Sequence, residues 1–439
     1  MKLNKGQEEA IRHKEGPCMV LAPPGSGKTL IITRRTRHLI EEEHIPPEQI
    51  LVITFTRFAA REMRERFAAL TKGNNYPVTF GTFHSVFYGI LKCAYGIGPA
   101  NLMSESEELE ILRAALNQVE IESEPDAEDE EELLRELMRE IGIVKNGLLH
   151  LREFQSSQLA QGEFTEVFRT YESLKKKQQK FDFDDMLVQC YALFHKRPDI
   201  LRMWQEKFPY ILIDEFQDIN RVQYEVIRML AQPKNNLFAV GDDDQSIYGF
   251  RGAKPELMLY MKQEYPDLRI INLMLNYRST EFIIGAATRV ILHNDARFYK
   301  RVQSSREKGK SVHVQEVRDE AEESRYVAGK IQKLLDEGKP AGEIAVLYRA
   351  GMQARRISEV LNEYQIPFEM RDHIPDFYSH FIAKDILAYL KLAEGKRDRY
   401  LFLQIGNRPL RYLARNRSGG CIRQNGTCQR SSNFVRDDQ

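Results

Sequence analysis

Two hydrophobic patterns alternate along much of the chain. Short, largely apolar runs lie at residues 18–21, 50–55, 78–80, 210–213, 237–240 and 268–271. Between several of them, as at residues 57–70, apolar positions recur with the period of an amphipathic helix. Buried strands that alternate with helices predict an α/β fold with a mostly parallel, doubly wound sheet. Because Arg269 interrupts the last run, we expect that strand near the edge of the sheet.

The same patterns divide the chain into regions. Residues 1–85 and 186–271 carry the strands of a first α/β domain. Residues 86–185 are helical, amphipathic and highly charged, which predicts an all-helical insertion in that domain. A second α/β pattern, at residues 272–395, predicts the first part of a further domain.

Within the second α/β pattern, strands are predicted at residues 312–314 and 343–348. Helices are predicted near residues 321–335, 353–363 and 382–392. Residues 396–439 are expected to be a truncated remainder whose polar end, from about residue 415, is a disordered tail.

Composition narrows the class of protein without identifying a partner. A hydrophobic content of 42 % is ample for buried cores. Lysine plus arginine and aspartate plus glutamate both number 64, so the net charge indicates no nucleic-acid partner, although a local basic groove is compatible with it. Five scattered cysteines argue against a zinc site and a disulfide framework. Neither a signal peptide nor a membrane-spanning run is visible, so a soluble, cytoplasmic protein is expected.

Two runs of like charge are expected to be solvated. One is the acidic run at residues 122–132, and the other is Lys175, Lys176 and Lys177. Such runs are more often wet helix faces or loops than binding surfaces.

A glycine-rich loop follows the first apolar run and precedes a helical segment. Its residues are Ala22, Pro23, Pro24, Gly25, Ser26, Gly27, Lys28 and Thr29. A strand, a loop and a helix in this order are the setting of a phosphate-binding loop, whose backbone N–H groups face an anion. Lys28 would reach the β- and γ-phosphates of a nucleotide, and the Thr29 hydroxyl would bind Mg²⁺. Ala22 replaces the usual glycine, and the alternative is a glycine turn with an incidental lysine.

Gln7 lies just upstream of this loop. A glutamine there can read an adenine edge, but it can equally be the capping-box partner of Asn4 at the start of a helix. The residues alone leave both roles open.

Polar side chains follow two of the later strands. Asp214 and Glu215 come directly after residues 210–213, and Gln245 follows residues 237–240. In nucleotide hydrolysis, Asp214 would hold Mg²⁺, Glu215 would orient and deprotonate the attacking water, and Gln245 would sense the γ-phosphate. An ordinary acidic loop at a strand end is the alternative.

Two further groups of residues suggest contacts with a nucleic acid and with the nucleotide. Tyr248, Phe250 and Arg251 place two aromatic rings beside a cation, as suits base stacking on a single strand, although such rings are often core residues. Arg278 opens the second α/β region and could stabilise charge on a transferred phosphoryl group. Its alternative is a surface arginine at a helix start.

Taken together and in this order, the motifs resemble those of the UvrD/Rep-type DNA helicases of superfamily 1. The matching stretches are residues 4–11, 22–29, 53–67, 81–85, 181–186, 214–218, 241–253 and 276–280. The resemblance implies a RecA-like domain with a helical insertion, followed by a second RecA-like domain that is incomplete in this chain. It also implies ATP and Mg²⁺ as cofactors.

The resemblance assigns roles to individual residues. It implies that Gln7 reads adenine, that Tyr277 stacks on the adenine ring, and that Gln245 and Arg278 contact the γ-phosphate. It implies a single-strand track lined by Phe55, Thr56, His84, Tyr248, Phe250 and Arg251. A family member would translocate 3′ to 5′ on single-stranded DNA, act at duplex/single-strand junctions, and serve DNA repair or replication.

The sequence departs from the family pattern at several places. Leu30 stands where an arginine is common, Phe250 replaces a more usual tryptophan, and Arg57 and Phe58 replace a common Asn-Lys pair. The family's last motifs, which include a second arginine for the γ-phosphate, have no match. An alternative is therefore a truncated helicase-like protein that binds ATP and DNA but does not unwind. A transporter-type or AAA-type ATPase is disfavoured by the motifs after residue 213.

Overall fold

The computed structural model of the chain describes residues 3–122, 130–294, 297–370 and 381–406, without the side chains of Arg251, Met352 and Phe381. The chain divides into two compact units, Met1–Val312 and His313–Gln439. Most of the acidic run and the whole polar tail lie outside the described residues. Within the described residues, no helix has both the length and the apolar character needed to cross a membrane.

The predicted doubly wound sheet is present in the first unit. Its strands are β1 (Cys18–Leu21), β2 (Ile50–Thr54), β3 (Thr79–Thr82), β4 (Tyr210–Ile213), β5 (Leu237–Gly241) and β6 (Arg269–Asn272). All pairings are parallel, in the order β3-β2-β4-β5-β1-β6. The edge position of β6 is therefore confirmed, and Arg269 there pairs with Glu9 at 2.7 Å.

Helices cover both faces of the sheet. On one face lie α1 (Lys5–Arg12), α2 (Lys28–Glu41) and α3 (Arg57–Leu70); on the other lie α4 (Phe83–Tyr95), α8 (Phe183–Lys196), α9 (Pro198–Lys207), α10 (Arg221–Ala231) and α11 (Glu256–Glu264). Successive strand side chains point to opposite faces, so Met19 joins one core cluster and Val20 the other. With both faces covered, the strands read as continuous apolar runs.

The helices between α4 and α8 have a core of their own. They are α5 (Glu105–Leu116), α6 (Glu130–Gly147) and α7 (Gln161–Lys177), and their buried residues form a separate cluster around Phe164 and Tyr171. The described part of residues 86–185 contains no strand, only an isolated bridge between Leu102 and Phe181. By contrast, α4 and α8 contribute to the core beneath the sheet.

The prediction that Lys175 lies on a solvated helix face is wrong. Its side chain is 2 % exposed, and its Nζ lies 2.5 Å from Asp182 and 2.6 Å from Asp185. Lys145 of α6 contacts the same two carboxylates at 2.6 and 2.8 Å. Local periodicity shows only a run of like charges, whereas the compensating carboxylates are Glu172 on α7 and Asp182 and Asp185 at the start of α8. The other two lysines of the run are exposed, as predicted.

The chain beyond β6 begins with a small parallel pair of strands, β7 (Leu275–Asn276) and β8 (Gln303–Ser304), on either side of α12 (Glu281–Ile291). The second unit contains α13 (Glu320–Asp336), α14 (Gly351–Glu363), α15 (Phe381–Ala393) and α16 (Arg399–Ile405). The three helices predicted after residue 320 are thus confirmed.

The strands predicted at residues 312–314 and 343–348 are wrong: the described residues form no strand at either place. Val314 and Leu347 are 88 % and 93 % exposed. A strand needs a hydrogen-bonded neighbour, and no described strand pairs with either segment. Apolar periodicity alone does not supply that neighbour.

Candidate functional site

The glycine-rich loop connects β1 to α2 as the sequence predicts. Gly25 and Gly27 have φ values of +69° and +95°, which L side chains rarely adopt, and Gly27 is the N-cap of α2. The first N–H groups of an α-helix have no carbonyl partner within the helix, so a loop that leads into a helix start is a setting for anion binding. Ala22 continues the strand, because its N–H donates to the Gly241 carbonyl at 2.9 Å. Its methyl group is fully buried in the core cluster on the α1 and α2 side of the sheet.

Gln7 has the capping-box role and also holds the loop. Its Oε1 accepts from the Asn4 N–H at 3.1 Å, and its Nε2 donates to the Ser26 carbonyl at 2.9 Å. The side chain is almost fully buried. Asn4 in turn donates to the Tyr277 hydroxyl at 2.9 Å. The adenine contacts of Gln7 and Tyr277 stay predictions, but both side chains lie beside the loop.

Three predicted residues from three different elements meet at the end of the sheet. The Lys28 Nζ lies 2.8 Å from Glu215 Oε2 and 3.2 Å from Gln245 Oε1. Glu215 has a left-handed backbone, with φ +51°, directly after β4. The side chains converge because parallel strands present their carboxyl ends at one edge, where α/β sheets bind their ligands. Lys28 is thus held by two side-chain oxygen atoms at this edge of the sheet.

Asp214 is buried beside this group and has chemistry suited to a cation. Burial, together with the charge of Glu215, raises the pKa of Asp214 to about 7. A buried carboxylate of this kind gains from a metal ion, and oxygen donors are the ligands that Mg²⁺ prefers. The hydroxyl of Thr29, in the first turn of α2, is the second donor predicted for that ion. The donor set therefore fits Mg²⁺.

The last residue of β7 and the residue after it contact the loop directly. The Asn276 side chain donates to the Pro24 carbonyl at 2.7 Å, and the Tyr277 N–H donates to the Gly25 carbonyl at 2.9 Å. A Cβ on Gly25 would lie 2.6 Å from the Arg278 Cβ, so only glycine fits at this crossing. Arg278 thus lies next to the phosphate-binding loop.

Aromatic rings line the ends of β2 and β5. Phe55 and Tyr248 stack with centroids 4.9 Å apart, and Phe250 lies 6.1 Å from Tyr248. Phe250 is 59 % exposed, so it presents a face to solvent. Thr56, the next predicted residue, caps α3 by accepting from the Ala59 N–H at 3.0 Å. The side chain of Arg251 lies outside the described part of the chain.

His84 leads to an aromatic residue that the sequence analysis did not single out. Its ring meets Phe183 edge to face at 5.7 Å, and Phe183 is 47 % exposed. Burial, with a smaller effect of Arg57, lowers the pKa of His84. The neutral ring favoured by this shift suits an aromatic surface. Phe183 lies within the stretch at residues 181–186 that matches the helicase motifs. The neighbouring residues do not distinguish an exposed phenylalanine there from one in the core.

Gln217 is a second residue missed from sequence. Its Nε2 donates to Glu215 Oε2 at 2.9 Å, and its Oε1 accepts from the Asp242 N–H at 2.9 Å. It therefore ties the end of β4 to the end of β5. The Gly241 position is close to it as well, since a Cβ there would lie 2.8 Å from Gln217 Oε1.

A cluster of carboxylates elsewhere in the described residues does not have the character of a metal site. Glu172, Asp182 and Asp185 have oxygen atoms within 4.8 Å of one another. The ammonium groups of Lys145 and Lys175 each contact all three side chains. The positive charge that these carboxylates need is already present.

Comparison with known proteins identifies the family. Residues 3–266 match the UvrD/REP helicase N-terminal domain, and residues 271–428 match the UvrD-like helicase C-terminal domain. YjcD of Bacillus subtilis (strain 168), which carries the provisional name of an ATP-dependent DNA helicase, is 38 % identical over 402 residues, or 90 % of this chain and 52 % of YjcD. The ATP-dependent DNA helicase PcrA of the same organism is 36 % identical over 418 residues, or 93 % of this chain and 55 % of PcrA. PcrA of Leuconostoc citreum is 34 % identical over 423 residues, or 94 % of this chain and 55 % of that protein.

The chain thus spans about half the length of the curated relatives it matches. The matches to the two domains cover both α/β regions and agree with the parallel sheet and with the order of the motifs. The chain belongs to the UvrD/REP helicase family.

Proposed function

We propose that the chain is an ATP-dependent DNA translocase or helicase that moves 3′ to 5′ along single-stranded DNA and acts at duplex/single-strand junctions. The observation that carries the proposal is the meeting of Lys28, Glu215 and Gln245 at the carboxyl end of the sheet. The names of the relatives support DNA unwinding in general. The 3′ to 5′ direction and a role in repair or replication in the cytoplasm rest on the family resemblance.

On this proposal, Lys28 contacts the β- and γ-phosphates of ATP, and Gln245 and Arg278 contact the γ-phosphate. Thr29 and Asp214 hold Mg²⁺, which when bound neutralises charge on the phosphate oxygens. Glu215 orients the attacking water and accepts its proton.

The contacts of Lys28 imply an exchange when nucleotide binds. Lys28 Nζ is paired with Glu215, the proposed general base. The Glu215 oxygen that accepts from Lys28 is occupied by that hydrogen bond and is less available to a water molecule. Phosphate oxygens that take over Lys28 would release Glu215 for the attacking water. ATP binding would then activate the site that hydrolyses it.

The proposed DNA track lies at the same edge of the sheet. Phe55, Tyr248 and Phe250 would stack on bases, since aromatic faces bind successive bases with little sequence preference. His84, Thr56 and Arg251 would complete the track, and we add Phe183 to it because of its contact with His84. The track and the ATP site share the segment after β5.

The proposal includes the domain organisation. Residues 1–85 and 186–271 would form the first RecA-like domain, residues 86–185 its helical insertion, and residues 272–395 the first part of the second domain. The separate core of α5, α6 and α7 supports the insertion as a distinct body.

A second candidate is a helicase-like protein that binds ATP and DNA without unwinding. It is favoured by residues 312–314 and 343–348, where strands were predicted and the described residues form none. A second α/β domain that lacks these strands would transmit less force between its nucleotide site and the DNA.

The test is ATP hydrolysis by the 439-residue chain with and without single-stranded DNA, followed by unwinding of a duplex with a 3′ single-stranded tail and one with a 5′ tail. Stimulated hydrolysis with unwinding of the 3′-tailed duplex is the expected result. Stimulated hydrolysis without unwinding of either duplex would favour the second candidate. Absence of both ATP binding and stimulated hydrolysis would refute the proposal.

A further inference from the structure

A buried ionic cluster lies directly behind the proposed γ-phosphate contact. The Lys300 ammonium contacts Asp242, lies 2.5 Å from Asp243 and lies 2.7 Å from Asp244. Arg297 adds a two-pronged contact to Asp244, at 2.8 and 2.6 Å. The Lys300 side chain is 2 % exposed. We call these five residues the Lys300 cluster.

The Lys300 cluster reaches the nucleotide site through one side chain. Gln245 donates from Nε2 to Asp242 Oδ2 at 2.7 Å, and its Oε1 accepts from Lys28. Both ends of the Gln245 amide are therefore fixed, one by the lysine of the phosphate-binding loop and the other by the carboxylate that Lys300 holds. A shift of Asp242 would displace Gln245 from Lys28.

On its other side the cluster is connected to the residues around Arg278. Lys300 lies three positions before β8, which pairs with β7, and Arg278 lies two positions after β7. The connection is reinforced where Ser304 Oγ donates to the Ser279 carbonyl at 2.8 Å. The small β7–β8 sheet therefore carries Arg278 and Lys300 together.

The segment at residues 241–253, whose aspartates pair with Lys300, also carries the stacking aromatic residues. Asp242, Asp243 and Asp244 open the segment at residues 241–253, and Tyr248 and Phe250 lie further along it. The three adjacent carboxylates at this strand end thus lie between the nucleotide site and the stacking rings. Their two cations both come from the stretch just before β8.

We propose that Lys300, supported by Arg297, is a positioning residue that couples movement of the β7–β8 sheet on ATP binding to the segment at residues 241–253. When Arg278 moves toward the γ-phosphate, Lys300 would move the segment at residues 241–253 with it. Gln245 and the DNA-stacking rings would then shift together. The inference rests on the proposed function, since it specifies how that ATP site and that DNA track communicate.

The energetics favour a firm link over an incidental contact. Burial alone would lower the pKa of Lys300, but the carboxylates outweigh that effect and leave the pKa raised, so the ammonium stays charged near neutral pH. Removing one partner of a buried ion pair leaves uncompensated charge, which the chain relieves by moving the remaining groups toward water. Loss of Lys300 should therefore release Asp242 and Asp243, and with them the hold on Gln245, while Arg297 still pairs with Asp244.

The test compares Lys300→Met, which removes the charge, with Lys300→Arg, which keeps it, and with Arg301→Met at the exposed neighbouring cation as the control. In Lys300→Met, we expect DNA stimulation of ATP hydrolysis to fall by about tenfold or more while the KM for ATP without DNA changes by less than about threefold. Lys300→Arg should restore part of the stimulation, and Arg301→Met should keep it. Equal stimulation in Lys300→Met and the unmodified chain would overturn the inference.

Amide hydrogen exchange gives a second measurement that needs neither DNA nor turnover. In the unmodified chain, ATP should slow exchange both at residues 275–305 and at residues 241–253; in Lys300→Met, only the first segment should respond. If Lys300→Met does not fold, Lys300→Met combined with Asp243→Asn reduces the charge imbalance and takes its place. Protection of both segments in either variant would refute the coupling. If the unmodified chain binds no ATP, the proposed function itself fails, which is a distinguishable result.

Discussion

Lys28 Nζ and Glu215 Oε2 are 2.8 Å apart, although the two residues are separated by 187 positions in the sequence. One belongs to the first turn of α2 and the other follows β4, so the parallel sheet alone brings them together. The pair places a candidate phosphate ligand against a candidate general base.

Lys28→Ala should reduce ATP hydrolysis by about 10²–10³-fold, the range for loss of one donor that stabilises transition-state charge. The charge on the β- and γ-phosphates would then lack its compensating ammonium group. Steady-state hydrolysis measures the effect, and Lys14→Ala, at a surface ion pair with Glu43, is the control. Hydrolysis at the unmodified rate in Lys28→Ala would mean that the nucleotide site lies elsewhere.

Glu215→Gln should stop turnover while ATP binding is retained. The amide keeps an oxygen for Lys28 but no longer accepts a proton, and general-base catalysis contributes about 10²–10⁴-fold. Binding of a fluorescent ATP analogue and single-turnover hydrolysis separate the two effects. Glu43→Gln serves as the control at a surface carboxylate. Loss of ATP binding in Glu215→Gln would instead indicate that the carboxylate is structural.

Asp214 should make the stability of the nucleotide-free chain depend on pH. Its pKa of about 7 in the folded chain lies above the ordinary value for aspartate, so the folded state binds this proton more tightly than the unfolded state. The resulting stability is present below about pH 4 and is lost as the pH rises through 7, by at most about 4 kcal/mol.

Urea unfolding at pH 5 and pH 7.5 measures that change. Asp214→Asn should show a smaller fall in the free energy of unfolding between the two pH values than the unmodified chain. Mg²⁺ with ATP should also reduce the fall, since a cation stabilises the ionised carboxylate. The same fall in both proteins would contradict the environment described for Asp214.

Phe250→Ala should weaken binding of single-stranded DNA by about 5- to 150-fold, which corresponds to about 1–3 kcal/mol for one base–aromatic stack. ATP binding should change far less, because the ring lies outside the contacts of Lys28. Fluorescence anisotropy with a labelled oligonucleotide measures the first affinity. Tyr95→Ala removes an aromatic ring of similar exposure at the end of α4 and is the matched control. Equal losses of DNA and ATP affinity in Phe250→Ala would exclude a stacking role.

The main sheet could be predicted because its information is local. Each of its strands is short and bounded by turn residues, and the predicted bounds of α3, residues 57–70, are those observed. The charge at Arg269 was sufficient to place β6 at the edge. The strand ends then indicated which side chains would lie near Lys28, although their roles in catalysis and binding stay predictions.

The features that sequence did not predict depend on side-chain partners that periodicity does not indicate. Lys175 is buried because Asp182 and Asp185, at the start of α8, fold back onto its ammonium group. Lys300 contacts Asp242 across 58 positions, and no periodicity indicates such a pair. Val314 and Leu347 were wrongly predicted to lie in strands for a related reason. A strand forms only where another strand pairs with it, and the local pattern does not show whether such a strand is present.

The ionic cluster in the helical region has a consequence for dissecting the chain into fragments. Lys145 and Lys175 lie on α6 and α7, but Asp182 and Asp185 cap and begin α8, whose apolar face belongs to the core beneath the sheet. A fragment cut before Asp182 would retain two buried lysines and lose two of their counter-ions. A fragment that contains the helical region with its counter-ions must therefore end beyond the first turn of α8. Removing that fragment would expose the part of the core beneath the sheet that α8 covers.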